Sequence, residues 1–275
     1  MPYVTPTWIL MIVVGLLPIG YAVWMSVSNQ SPTAPSAGFV GLANYVAAVF
    51  TPAFGQALLV TLILVVFGLI IQFTFGYLLA SLLHRQMRGY QIARSILLVP
   101  MLLTPVIVGL IFKFIFSPDL GIIFFVQQAI GVNLPWFSDP AFARGLILII
   151  DAWMHIPFVM LMLLAGMASM PQEPLESASI DGAGWWQTLR YITLPMLAPI
   201  ITITLLVRTV DTARLFDIIY TSTEGGPGLA TVTASLSAYE RTFQFYEFGQ
   251  GAAMAVALAV IMFPVYFLYV RLTKV

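Results

Sequence analysis

The sequence contains no cysteine, which excludes disulfide staples and thiolate metal sites while leaving the compartment open. Charge is also scarce. Asp, Glu, Lys and Arg make up 8% of the 275 residues, where a soluble domain carries about a quarter. So few charges cannot cover a water-facing surface of this size, so lipid is the solvent for most of it. Formal net charge is zero, and nothing suggests a nucleic-acid partner. The two lysines, Lys113 and Lys274, do not follow a glycine. The phosphate cradle that ends in Gly-Lys-Ser/Thr is therefore missing. His84 and His155 are the two histidines, with no third ligand at workable spacing, which argues against a metal site. No nucleophile elbow or metal-ligand cluster is visible, and no internal repeat, which weakens an inverted-repeat architecture.

Apolar residues, at 60% of the chain, fall into long runs. A helix needs about 20 of them to span a bilayer, and six stretches qualify: 7–28, 57–83, 93–117, 142–168, 190–212 and 250–271. The pattern predicts an all-α membrane protein with six transmembrane helices in a single domain over 1–275. The first run, from Trp8 to Val27, lacks a basic leader and a small-residue cleavage site, so it reads as a retained helix. Its abrupt start suggests a short or trimmed cytoplasmic tail ahead of it. Arg85, Arg88 and Arg94 lie in one short connection, Arg271 and Lys274 lie at the C-terminus, and the 29–56 segment has no charge. Positive residues stay inside, and six spans put both basic segments on the same face, so both termini are expected to be cytoplasmic.

The 169–189 segment is cytoplasmic by parity, yet it carries Glu173, Glu176 and Asp181, with no basic residue before Arg190. Acidic residues weigh little in the charge rule, so this is either incidental or the mark of a folded element that docks a partner. Glu173 and Pro174 suit a helix start, where carboxylates meet the positive end of the dipole. Asp181-Gly182 and Gly184 then break that helix, and a second begins near Trp185. Pro195 and Pro199 sit inside the next apolar run.

Glu176, Ser177, Ala178, Gly182, Ile192, Leu194 and Pro195 follow the spacing Glu-Ala-Ala, three residues, Gly, nine residues, Ile, one residue, Leu-Pro. This resembles the signature cytoplasmic loop of binding-protein-dependent ABC importer permeases, and Asp181-Gly182-Ala183 resembles the variant of its carbohydrate branch. Ser177 replaces the usual first Ala, and Gly184 is an additional glycine. The stretch from Arg208 to Tyr220, Gly225-Gly226-Pro227-Gly228 and the early Leu17-Pro18-Ile19-Gly20-Tyr21 are similar to maltose- and trehalose-type permeases, so the likeness covers nearly the whole chain. It implies a type I importer permease fold and a coupling surface at Glu176, Ala178, Asp181, Gly182 and Gly184. It further implies a second homologous permease subunit, two ATP-binding cassette subunits that hold the ATP and Mg, and an extracytoplasmic sugar-binding protein. The chain itself is expected to bind no cofactor, to be no enzyme and to lie in a bacterial inner membrane.

Ionisable side chains in hydrocarbon are costly and point to function. Asp151 and His155 lie four apart on one helical face, beside Trp153, Met154 and Pro157. Rings beside polar groups suit a sugar, which has an apolar face and a hydroxyl edge. Arg208, Asp211, Thr212, Arg214 and Leu215 form a second group, which either contacts cargo or satisfies itself as a charge ladder. The resemblance assigns cargo contacts to Asp151, Trp153, Met154, His155, Arg208, Asp211, Thr212 and Leu215. Lys113 and Arg144, near helix ends, are expected to snorkel. A rival reading makes Asp151 and His155 a proton relay in a secondary transporter, and a third makes the chain a membrane scaffold.

Overall fold

A computed structural model describes residues 10–29, 31, 38–84 and 89–272. Arg85, Arg88 and Lys274, on which orientation partly rested, and the start of the first apolar run lie outside the described residues. The chain is built of helices: α1 (Ile12–Ser26), α2 (Pro52–His84), α3 (Tyr90–Leu102), α4 (Pro105–Ile115), α5 (Ile122–Ile130), α6 (Pro140–Ala168), α7 (Glu173–Ile180), α8 (Trp185–Ala213), α9 (Asp217–Ser222), α10 (Ala234–Tyr239) and α11 (Phe248–Leu272). Among the described residues there is no β-strand; Ser28 and Phe39 form an isolated bridge. Among the described residues four helices, α2, α6, α8 and α11, are long and apolar enough to cross a membrane.

The 93–117 run is not one straight helix. The chain turns by 96° between α3 and α4, because Pro105 disfavours helical backbone at the residue before it. Thr104 accordingly adopts φ −73°, ψ 137° and starts α4 as its extended cap. Pro140 opens α6 in the same way, and the Asp139 carboxylate caps it by accepting from the Ala141 and Phe142 amides at 2.8 and 3.2 Å.

The most extensive helix contact is between α2 and α6. Gly76 permits it: a Cβ there would lie 2.7 Å from Val159 Cγ1. This pair organises two apolar clusters. One contains Val60, Leu64, Ile147, Ile150, Met154 and Ile218, and the other contains Ala80, Val159, Met160, Leu163 and Leu197. Between them, mid-way along both helices, lies a layer of buried polar groups.

Candidate functional site

The polar layer joins α2, α6 and α8. Asp151 extends from α6 and Arg208 from α8, with side chains 2% and 1% exposed, and Arg208 Nη2 approaches Asp151 Oδ1 at 3.2 Å. Gln72 of α2 bridges them. Its amide Nε2 donates to Asp151 Oδ2 at 2.6 Å, and its Oε1 accepts from Arg208 Nε at 2.9 Å. Arg208 Nη2 also donates to Thr212 Oγ1 at 3.1 Å, one turn along α8. His155 closes the layer, with Nδ1 2.8 Å from Asp151 Oδ1 and 3.0 Å from the Asp151 carbonyl oxygen. Both partners are acceptors, so Nδ1 carries the hydrogen, leaving Nε2 at the outer edge of the ring.

Above this layer opens a cleft of about 390 Å³, lined by Pro105, Leu215, Phe216, His155, Asp211, Arg214 and Asp217 over the buried Asp151 and Arg208. Asp211 is 45% exposed and pairs chiefly with Arg214 at 3.2 Å, standing 3.6 Å from Arg208 Nη1. Phe216 leads outward into a ladder of rings. It stacks on Tyr220 at 5.3 Å and lies 4.6 Å from Tyr239, which is 5.1 Å from Phe243.

Of the residues expected to meet cargo, the structure gathers Asp151, His155, Arg208, Asp211 and Leu215 around this cleft. Thr212 stands behind it as a support for Arg208. Trp153 departs from the expectation. Two residues on from Asp151 it is roughly 200° around the helix, so it faces away and packs on Phe112 with ring centroids 5.5 Å apart. Met154 also departs, because it lies buried in the apolar cluster with Ile147 and Ile150. Lys113 and Arg144 do not simply snorkel: Lys113 pairs with Glu224 at 2.7 Å, and Arg144 Nε donates to the Ala230 carbonyl at 2.8 Å. Gln72 was overlooked in the sequence. Its signal is an amide deep inside a long apolar helix, midway between Gly68 and Gly76 on one face.

The 169–189 loop is a helix–turn–helix. After α7, Gly182 adopts φ +73°, and the Gly182 and Ala183 amides donate back to the Ser179 and Ala178 carbonyls at 3.3 and 2.9 Å. This is the Schellman arrangement, which needs a residue comfortable in left-handed backbone. Gly184 starts the next helix, and its amide donates to Gln187 Oε1 at 2.8 Å. Glu173, Glu176, Asp181, Gly182 and Gly184 are exposed. Ala178 is 7% exposed and turns inward, so it supports the loop from beneath. The carboxylates of this loop have no ion-pair partner among the described residues.

Residues 72–274 match the family model described as "Binding-protein-dependent transport system inner membrane component". The chain is 32% identical over 274 residues to the trehalose transport system permease protein SugA of Mycobacterium tuberculosis, covering 98% of this chain and 86% of the relative. It is 30% identical over 272 residues to the trehalose/maltose transport system permease protein MalF of Thermococcus litoralis, covering 98% and 92%. It is 32% identical over 275 residues to the sulfoquinovosyl glycerol transport system permease protein SmoG of Agrobacterium fabrum, covering 98% and 88%. Among solved structures, a chain of a bacterial ABC transporter involved in the import of the acidic polysaccharide alginate superposes with a TM-score of 0.83 at 22% identity. That match covers 98% of this chain and 92% of the other. It has the same fold.

Proposed function

The chain belongs to the binding-protein-dependent transport system inner membrane components, as a carbohydrate ABC importer permease rather than an enzyme. From that premise we propose that it forms half of a sugar pathway and receives its driving force through residues 173–189. One observation carries the reading. A chain without a phosphate cradle presents an exposed, acidic, glycine-broken loop between two long apolar helices, with nothing charge-paired to it among the described residues. A motor protein that binds ATP elsewhere would find Glu176, Asp181, Gly182 and Gly184 on that surface.

The finer architecture follows from the same reading. Six crossings arise from α1, α2, the bent pair α3–α4, α6, α8 and α11, with both termini cytoplasmic. A second homologous permease completes the pathway, two ATPase subunits clamp the inner loops, and an extracytoplasmic binding protein delivers sugar to the outer side of a bacterial inner membrane. The cleft over Asp151, His155 and Arg208 is the proposed cargo site, with Leu215, Phe216 and the ring ladder offering apolar faces to sugar rings. The proton-relay alternative has no support from the family. Asp151, His155 and Arg208 are tied to one another, and this accounts for buried charge without a relay. Gly182→Ala and Glu176→Ala are expected to keep the folded permease while separating ATP hydrolysis from uptake. Normal ATP-driven uptake by both variants would refute the coupling assignment.

A further inference from the structure

We propose that the cleft takes an uncharged polyhydroxylated cargo and turns away phosphorylated, sulfonated or uronic sugars; this rests on the sugar-permease reading above. A buried arginine in a sugar path invites the opposite conclusion, because guanidinium forks bind phosphate and sulfonate well. Here the fork is already occupied. Three of the Arg208 hydrogen bonds go to Gln72, Asp151 and Thr212, and the remaining nitrogen faces Asp211. With its side chain 1% exposed, Arg208 belongs to the cleft floor but offers cargo almost no free surface.

What a cargo meets is the layer above. Arg214 is paired with Asp211, and Asp217 stands beside them in the first turn of α9. Over the whole cleft three carboxylates face two guanidiniums. With His155 neutral the cleft holds one net negative charge, and with His155 protonated it holds none. Neither state leaves a cation to neutralise an anionic sugar. Hydroxyl groups find what they need: acceptors at Asp211 and Asp217, His155 Nε2, and the apolar faces of Leu215 and Phe216. Asp217 and Asp211 are thus the residues that set cargo charge.

The test uses the importer assembled with its partner permease and ATPase in lipid nanodiscs, without the binding protein, so that the first filter is bypassed. Binding of trehalose and maltose is compared with that of trehalose 6-phosphate and sulfoquinovosyl glycerol. The neutral sugars are expected to bind at least about tenfold more tightly, and Asp217→Asn to narrow that ratio by about tenfold. One unit charge acting across about 6 Å at an effective dielectric near 40 has that effect. Asp211→Asn, which also releases Arg214, is expected to narrow it further. Equal or tighter binding of the anionic sugars by the unaltered complex, as a cation supplied by the partner permease would produce, overturns the proposal. So does a ratio unmoved by Asp217→Asn. Failure of all four sugars to bind refutes the cargo site itself, a different result from binding without charge preference.

Discussion

Removing Arg208 tests whether the polar layer is structural. In Arg208→Met the methionine fills much of the same volume, while the Asp151 carboxylate loses its counter-charge at a side-chain exposure of 2%. Breaking a buried pair from one side destabilises by about 3–5 kcal/mol. The same change leaves Gln72 Oε1 without its donor, adding about 1–3 kcal/mol for an unsatisfied buried acceptor. Loss of the 3.6 Å contact to the half-exposed Asp211 adds almost nothing. The expected total is about 5 kcal/mol. At roughly 2 °C per kcal/mol for a chain of this size, the melting temperature of the detergent-purified permease, followed by tryptophan fluorescence, falls by about 10 °C. Asp151→Leu combined with Arg208→Met removes both charges, and the pair is then expected to recover about half of that loss, because no lone ion remains buried. A single variant melting within about 2 °C of the parent, or a double variant whose loss equals the sum of the singles, would refute this view of the layer.

Other outcomes follow from the same geometry. His155→Asn retains a donor near the Nδ1 position and is expected to keep the parent melting temperature while weakening sugar affinity through loss of Nε2. His155→Gln, whose amide reaches the Nε2 position instead, should melt lower, and equal melting of the two would contradict the assigned tautomer. Gly76→Ala forces a methyl onto Val159 and should destabilise by about 1–3 kcal/mol, with Val159→Ala in the same chain restoring part of it in the same melting assay. Gly182→Ala puts a side chain at φ +73° and should lower stability by about 1 kcal/mol. That is too little to unfold the permease, so a parent-like elution profile beside lost coupling is the expected pair of readouts.

Hydropathy alone located α2, α6, α8 and α11, because lipid demands long uninterrupted apolar helices and leaves few other options. The bend between α3 and α4 escaped that reading, since 93–117 is uniformly apolar and only Pro100 and Pro105 mark it. The helix–turn–helix of 169–189 is legible down to the turn, because left-handed backbone at Gly182 is a local requirement that the residue itself announces. The shared face of Asp151 and His155 is legible from their spacing of four, but the pairing of Asp151 with Arg208 depends on helices far apart in sequence. Trp153, which the resemblance places beside Asp151, points nearly the opposite way, because two residues along a helix lie roughly 200° apart. Lys113 and Arg144 find partners at Glu224 and Ala230, contacts that no local pattern could have revealed.

Sugar uptake into proteoliposomes tests the central claim most directly. The chain reconstituted with the proposed second permease, ATPase and binding protein is expected to accumulate sugar only with ATP inside the compartment that holds the ATPase. The chain alone is expected to accumulate none under a pH gradient. Accumulation by the chain alone, driven by that gradient, would contradict an ATP-powered permease and restore the proton-coupled reading through Asp151 and His155.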